Sequence, residues 1–251
     1  MGYIASVKCL RSIAVIFVAA SFSCSGVWAG THDKSIGMFS KNAVDLWSEI
    51  SGGDKPLKVW SPDKQSVVLA KFIEGRNDEK VVLQVSGAIG SLEVDLGPGV
   101  GCELLWSPDS RAFFVTTSDQ GANGSYRLIV VSEVQGALMA RDLTPLLARQ
   151  FGNPVICGGP ERPNVGGISW LGSSKQLLAA AEIVNHSNCD SFGTFKAYVV
   201  DVRNMKVVET YGQLAAKRRF RGVLGEELLN APDECVRSPR SCYVSTNHSK
   251  D

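Results

Sequence analysis

Apolar residues are distributed along this chain in one long run near its start and then in many short ones. The long run, residues 12–20, follows the basic Lys8 and Arg11 and leads to Val27-Trp28-Ala29. Beyond it, β-branched and aromatic stretches recur at residues 66–72, 80–85, 111–116, 126–131, 176–180, 197–202 and 206–209, with Gly, Pro, Asn, Asp and Ser between them. Stretches this short, bounded by turn residues, are of strand length rather than helix length. A change of period comes late: Leu214, Phe220, Leu224 and Leu228 lie at helical spacing, weakened by Gly222 and Gly225.

The short runs belong to a repeat. Trp60-Ser61-Pro62-Asp63 and Trp106-Ser107-Pro108-Asp109 are identical and 46 residues apart, and each leads into an apolar run. A worn third copy begins at Trp170, where Leu171-Gly172-Ser173 replaces Ser-Pro-Asp. Pro presets φ for a tight turn and Asp can bond nearby N–H groups, so a strand ending in Trp turns at once into the next. Each unit then carries a second β-branched run, a short turn and a fourth strand, which is the pattern of a four-stranded propeller blade.

On these residues the chain resembles the TolB-type WD-like β-propeller repeat, whose signature is W-S-P-D-G-x-x-[LI]-A-[FY]. Lys64 and Ser110 stand where that family has Gly. The likeness runs over residues 42–210 and implies an all-β, propeller-like array of about three four-stranded blades. Too few turn motifs are visible for a closed ring, so an incomplete ring is expected. Residues 42–48, followed by Gly52-Gly53, could supply outer strands of a further blade completed by the end of the chain. The favoured alternative is an open arc capped by residues 213–251, a helical and disulfide-looped tail. The large aromatic residues Trp60, Trp106 and Trp170 are expected in the core between blades.

Composition alters this picture at the N-terminus and through the cysteines. The order basic, apolar, small over residues 1–29 is that of a secretory signal cleaved after Ala29, which places the protein in the periplasm or outside the cell. Lipidation at Cys24 fits less well, because Ser21 occupies a position that favours a large aliphatic residue. The repeat domain then spans residues 30–212. Cleavage leaves Cys102, Cys157, Cys189, Cys235 and Cys242 in an oxidising compartment. Bridges Cys157–Cys189 and Cys235–Cys242 are expected, with Cys102 as a buried thiol.

Antiparallel strands place the connections at residues 74–79, 97–101, 119–125 and 185–193, and an insertion at residues 144–167, on one face. Long connections of this kind carry function. Asn153, Glu161, Arg162, His186 and Asp190 are the candidate binding residues on it. There is no Gly-x-Ser-x-Gly elbow and no phosphate-binding Gly-x4-Gly-Lys loop, and His186, Cys189 and Asp190 lack a second ligand pair for a metal. No catalytic set, cofactor or metal is therefore assigned. With 26 Lys+Arg against 25 Asp+Glu there is no field for nucleic acid, and residues 217–221, though basic, suit a solvated helix face. The expected function is binding of a protein or peptide partner without catalysis, with oligomerisation as a way to close the ring. The alternative is a hydrolase or lyase using Glu161, His186 and Asp190.

Overall fold

The computed structural model describes residues 37–50, 55–73, 80–97, 100–118, 125–152, 162–183 and 193–233. Three antiparallel sheets follow one another along the chain. The first contains β2 (Leu57–Trp60), β3 (Ser66–Ile73), β4 (Lys80–Gly87) and β5 (Leu92–Asp95). The second contains β6 (Val100–Trp106), β7 (Ala112–Ser118), β8 (Tyr126–Val134) and β9 (Ala137–Asp142). The third contains β10 (Asn164–Trp170), β11 (Gln176–Glu182), β12 (Phe195–Asp201) and β13 (Lys206–Gly212). Each is a meander whose sequential strands pair, and none closes into a barrel.

The repeated tetrapeptide forms the first turn of two sheets through one hydrogen-bond pattern. Ser61 Oγ donates to Asp63 Oδ1 at 2.6 Å and accepts from Ser66 N at 3.0 Å. Ser107 Oγ contacts Asp109 Oδ1 at 2.7 Å and accepts from Ala112 N at 3.0 Å. The residue after Asp is left-handed in both turns, with φ 59° at Lys64 and 60° at Ser110. That backbone state favours Gly, so Lys64 and Ser110 each hold a strained conformation. In the worn third turn the left-handed position moves to Gly172, at φ 79°.

Successive sheets pack through apolar faces, one on the first sheet and both on the second and third. Val68, Ala70, Leu83 and Val85 of the first sheet meet Trp106, Phe113, Val115 and Ile129 of the second. Phe114, Leu128 and Val130 on the second sheet's other face meet Trp170, Leu177, Ala179 and Tyr198 of the third. Full burial of such side chains stabilises by roughly 1.5–3 kcal/mol each. A polar strut repeats within this packing. Trp106 Nε1 donates to Val59 O at 3.2 Å, and Trp170 Nε1 donates to Leu105 O at 3.0 Å. Each acceptor is the residue just before the preceding sheet's own Trp. Among the described residues no sheet precedes that of Trp60, which is 53% exposed; this corrects its assignment to the core. The turns of successive sheets are also linked: Asp63 N donates to Ser110 Oγ at 3.1 Å, and Ser174 Oγ donates to Asp109 Oδ2 at 2.8 Å.

Two other expectations are corrected. The segment at residues 42–48 forms no separate sheet. Its β1 (Val44–Asp45) pairs with β6, adding a fifth strand to the second sheet. Asp45 Oδ1 then accepts from Trp47 N at 3.0 Å and Ser48 N at 3.2 Å, so the chain turns into α1 (Leu46–Ile50), which buries Leu46 and Ile50 between the first two sheets. The insertion at residues 144–167 is also not all loop. It begins with α2 (Thr144–Phe151), which has Pro in its first turn, and ends inside β10.

The far face of the third sheet is capped. Ile168, Leu178, Ala180, Ala197 and Val199 bury against Phe39, Ala216, Leu224 and Leu228. The last three come from α3 (Gln213–Phe220), the turn after it and α4 (Glu226–Asn230). Residues 37–41 form a strap along this cap, with Ser40 bridging Leu224 and Gly225 N donating to Phe39 O at 2.8 Å. Gly225 and Gly166 permit the approach: an added Cβ at Gly225 would strike Met38 O, and one at Gly166 would enter the Phe39 ring. Among the described residues, no helix is long and apolar enough to cross a membrane.

Candidate functional site

Connections between β3 and β4, β7 and β8, and β11 and β12 leave from one end of the strands, as the pairings Ile73 with Lys80, Ser118 with Tyr126 and Glu182 with Phe195 show. Of the candidates assigned to this end, Asn153, Glu161, His186 and Asp190 lie outside the described residues. So do Cys157, Cys189, Cys235 and Cys242. Arg162 is described. It is exposed, and its carbonyl accepts from Ser125 Oγ at 3.4 Å.

Beneath Arg162 lies a sealed polar layer. Asn164 Oδ1 accepts from Tyr126 N at 3.0 Å, joining the second and third sheets, while its Nδ2 donates to Glu182 Oε1 at 3.0 Å. Glu182 is wholly buried, and burial together with the neighbouring Glu227 raises its pKa. Glu103 is 2% exposed and accepts from the N–H groups of Met38, Phe39 and Ser40. Burial pushes Glu103 up to about 7 although those donors pull it down. Cys102 is buried as expected, with Sγ 3.1 Å from Thr117 Oγ1 and its pKa pushed by burial to about 11. These groups hold the strap and the sheets together. Sequence reasoning passed over Glu103 and Glu182, whose signal is a single acid within or at the end of an apolar strand.

At the opposite end of the strands, the turns of the second and third sheets enclose a groove of about 700 Å³. Its cations are Arg111 and Arg141 from the second sheet and Lys175 and Arg203 from the third. Its carboxylates are Asp109 and Glu133. Asp109 is already engaged by Ser107 and Ser174, whose hydrogen bonds outweigh its burial and hold its carboxyl below the usual range. Arg141 is half-buried and fixed across the two walls. Its Nη2 donates to Ser132 Oγ at 3.0 Å and its Nη1 to Arg203 O at 3.2 Å, while its buried Nε has no acceptor. Among the described residues the ion pairs are Lys80–Asp95 and Lys217–Asp233, so none of the groove's cations is paired.

This arrangement can hold an anion. A guanidinium presents five donors in a fixed fork and remains charged at all ordinary pH values, which suits recognition rather than proton transfer. The groove was missed because its cations are dispersed: Arg111, Arg141, Lys175 and Arg203 come from four separate connections and strands. Of the basic run that sequence does display, residues 217–221, two members are engaged locally, while Arg218 and Arg221 are exposed. Lys217 pairs with Asp233 at 2.9 Å, and Arg219 lies over the Tyr211 and Phe220 rings. Among the described residues, no group of three or more His, Cys, Asp or Glu could hold a metal.

No protein-family model matches the sequence, and no curated protein matches it. Among solved structures, the chain is similar to an acylaminoacyl peptidase from Pyrococcus horikoshii, with a TM-score of 0.31 and 14% identity over 58% of this chain. The match spans 22% of the peptidase chain.

Proposed function

We propose that this chain is an exported interaction module, a propeller-like array of three four-stranded blades that captures a partner in the groove between its second and third sheets. The observation that carries this reading is Arg141, a half-buried guanidinium locked in place by both walls and paired with no carboxylate. Burying an unpaired charge costs free energy, and a ligand carrying the opposite charge would recover it. The propeller-like reading draws support from the Trp strut, which repeats with the same donor and equivalent acceptor at both sheet junctions. Export rests on the signal-like order of residues 1–29.

Recovery of partners from the exported fraction of the native cell discriminates this surface from the loop end. Arg141→Gln with Lys175→Gln is expected to abolish the recovery of a partner that intact protein retains, whereas deletion of residues 154–163 is expected to leave it unchanged. Loss on deletion, with the groove variant still active, would move the contact surface to the opposite end of the strands.

A further inference from the structure

We infer that the ligand of this groove is an acidic peptide segment whose carboxylates engage both walls at once; this rests on reading the groove as the contact surface. The cations stand two on each wall, Arg111 and Arg141 on the second sheet and Lys175 and Arg203 on the third. Four cations divided between two walls suit a ligand with several carboxylates, which spaced acidic residues along a peptide provide. Size points the same way. A groove of about 700 Å³ lies within the range of sites that enclose a ligand much larger than a single carboxylate or phosphate group.

Charge distribution argues against a long polyanion. Over the whole chain 26 Lys+Arg face 25 Asp+Glu, so there is no strong overall positive field of the kind that draws in a nucleic acid. The chemistry of the donors fits carboxylates as well. Arg141 keeps one N–H on each Nη beyond the two bonds it already makes, its Nε–H being buried, and Arg111 and Arg203 are exposed guanidinium groups beside it. Guanidinium forks match carboxylate geometry in two-bond pairs. Glu133 and Asp109 at the groove would oppose a ligand crowded with charge, which favours carboxylates separated by neutral residues.

The test uses the full chain and a fluorescein-labelled peptide, Gly-Glu-Gly-Glu-Gly-Glu, with its all-Gln counterpart as control, followed by fluorescence anisotropy. The Glu peptide is expected to bind, weakening as salt rises, and the Gln peptide is expected not to bind. Arg141→Gln should weaken binding by about tenfold, the loss of one charge-assisted pair. Because Arg141 also braces the two walls, Arg111→Gln and Lys175→Gln on the exposed rim provide the second test, each expected to weaken binding by about threefold to tenfold without changing the melting curve. Equal binding of the Gln peptide, or binding insensitive to all three substitutions, overturns the proposal. Competition by inorganic phosphate at the same concentration as the Glu peptide would overturn the peptide assignment. If a partner is recovered through the groove but the Glu peptide does not compete with it, the ligand class fails while the binding surface stands. If recovery ignores the groove substitutions, the surface itself fails.

Discussion

Replacing Glu103 by Gln tests the buried layer that holds the strap. Glu103 Oε1 accepts from Met38 N and Phe39 N, and Oε2 from Phe39 N and Ser40 N, the last three contacts at 3.3 Å. Gln offers one acceptor oxygen and turns an amide N–H₂ toward a backbone donor, so a buried N–H loses its partner at a cost of about 1–3 kcal/mol. The pH dependence sharpens this. The carboxyl has a pKa of about 7 in the folded chain against an ordinary value of 4.5. A raised carboxyl pKa contributes stability that is fully present below 4.5 and is lost as pH rises through 7, because the unfolded chain releases the proton first. Between pH 5 and pH 8 the native protein should lose about 2–3 kcal/mol from this group. Gln does not titrate. Urea unfolding of both proteins at the two pH values should therefore show Glu103→Gln less stable at pH 5, with the gap narrowing by about 2–3 kcal/mol at pH 8. The contribution of Glu182 is common to both proteins and cancels in the difference. A gap that widens toward pH 8 would mean that the three N–H donors outweigh burial and hold the carboxylate ionised, and would refute the reasoning.

Other consequences follow from the sheet junctions and the turns. Trp106→Phe removes the bond to Val59 O and leaves space in the core, and should cost about 2–4 kcal/mol in urea unfolding, whereas Trp60→Phe should change stability by no more than about 0.5 kcal/mol. Equal effects at the two positions would contradict the order of the strut. Gly166→Ala forces a methyl into the Phe39 ring and should destabilise by about 1–3 kcal/mol, with faster amide exchange at residues 38–40; unaltered exchange would show that the strap does not depend on this contact. Lys64→Gly relieves a left-handed backbone at φ 59° and should stabilise the protein by about 0.5–1 kcal/mol, a gain that thermal melts would detect and that an unchanged melt would rule out.

The repeated unit could be read from the chain because its signals are local. Trp60 to Asp63 and Trp106 to Asp109 each carry the whole chemistry of a turn, and the runs after them alternate with a period set by the backbone. The departure of residues 42–48 from a strand reading was harder to see. Val44 and Asp45 do pair as a strand, but the Asp45 carboxylate captures two following N–H groups and starts a helix, so one side chain ends one element and opens the next. For α2, Pro145 stands in the first turn and Thr144 Oγ1 accepts from Leu128 N at 2.9 Å, but the segment was read as one insertion with no helix in it. Trp60 shows another limit. Its tetrapeptide is identical to that of Trp106, and burial differs because it depends on which sheet comes before, a property of the stack rather than of the turn.

That dependence on stacking also decides where binding groups can gather. At the loop end, the buried polar groups among the described residues serve the architecture: Asn164 joins two sheets, Glu182 is buried against Glu227, and Glu103 anchors the strap, while Arg162 is exposed. At the turn end, the two sheets meet through a few links, chiefly Ser174 to Asp109 and Arg141 to Arg203 O. Each turn there presents side chains outward, and the twist between packed sheets opens space between neighbouring turns. A cation placed in any one turn would be an ordinary solvated residue. Bringing four of them onto two facing walls requires only that the repeat register be kept, so each wall can change its side chains without disturbing the core beneath it. The strut from Trp170 to Leu105 O keeps that register, and its loss in Trp170→Phe should loosen the groove as well as the fold. Peptide binding measured below the melting transition would then weaken in Trp170→Phe but not in Trp60→Phe, and equal binding by the two variants would sever the link between the strut and the site.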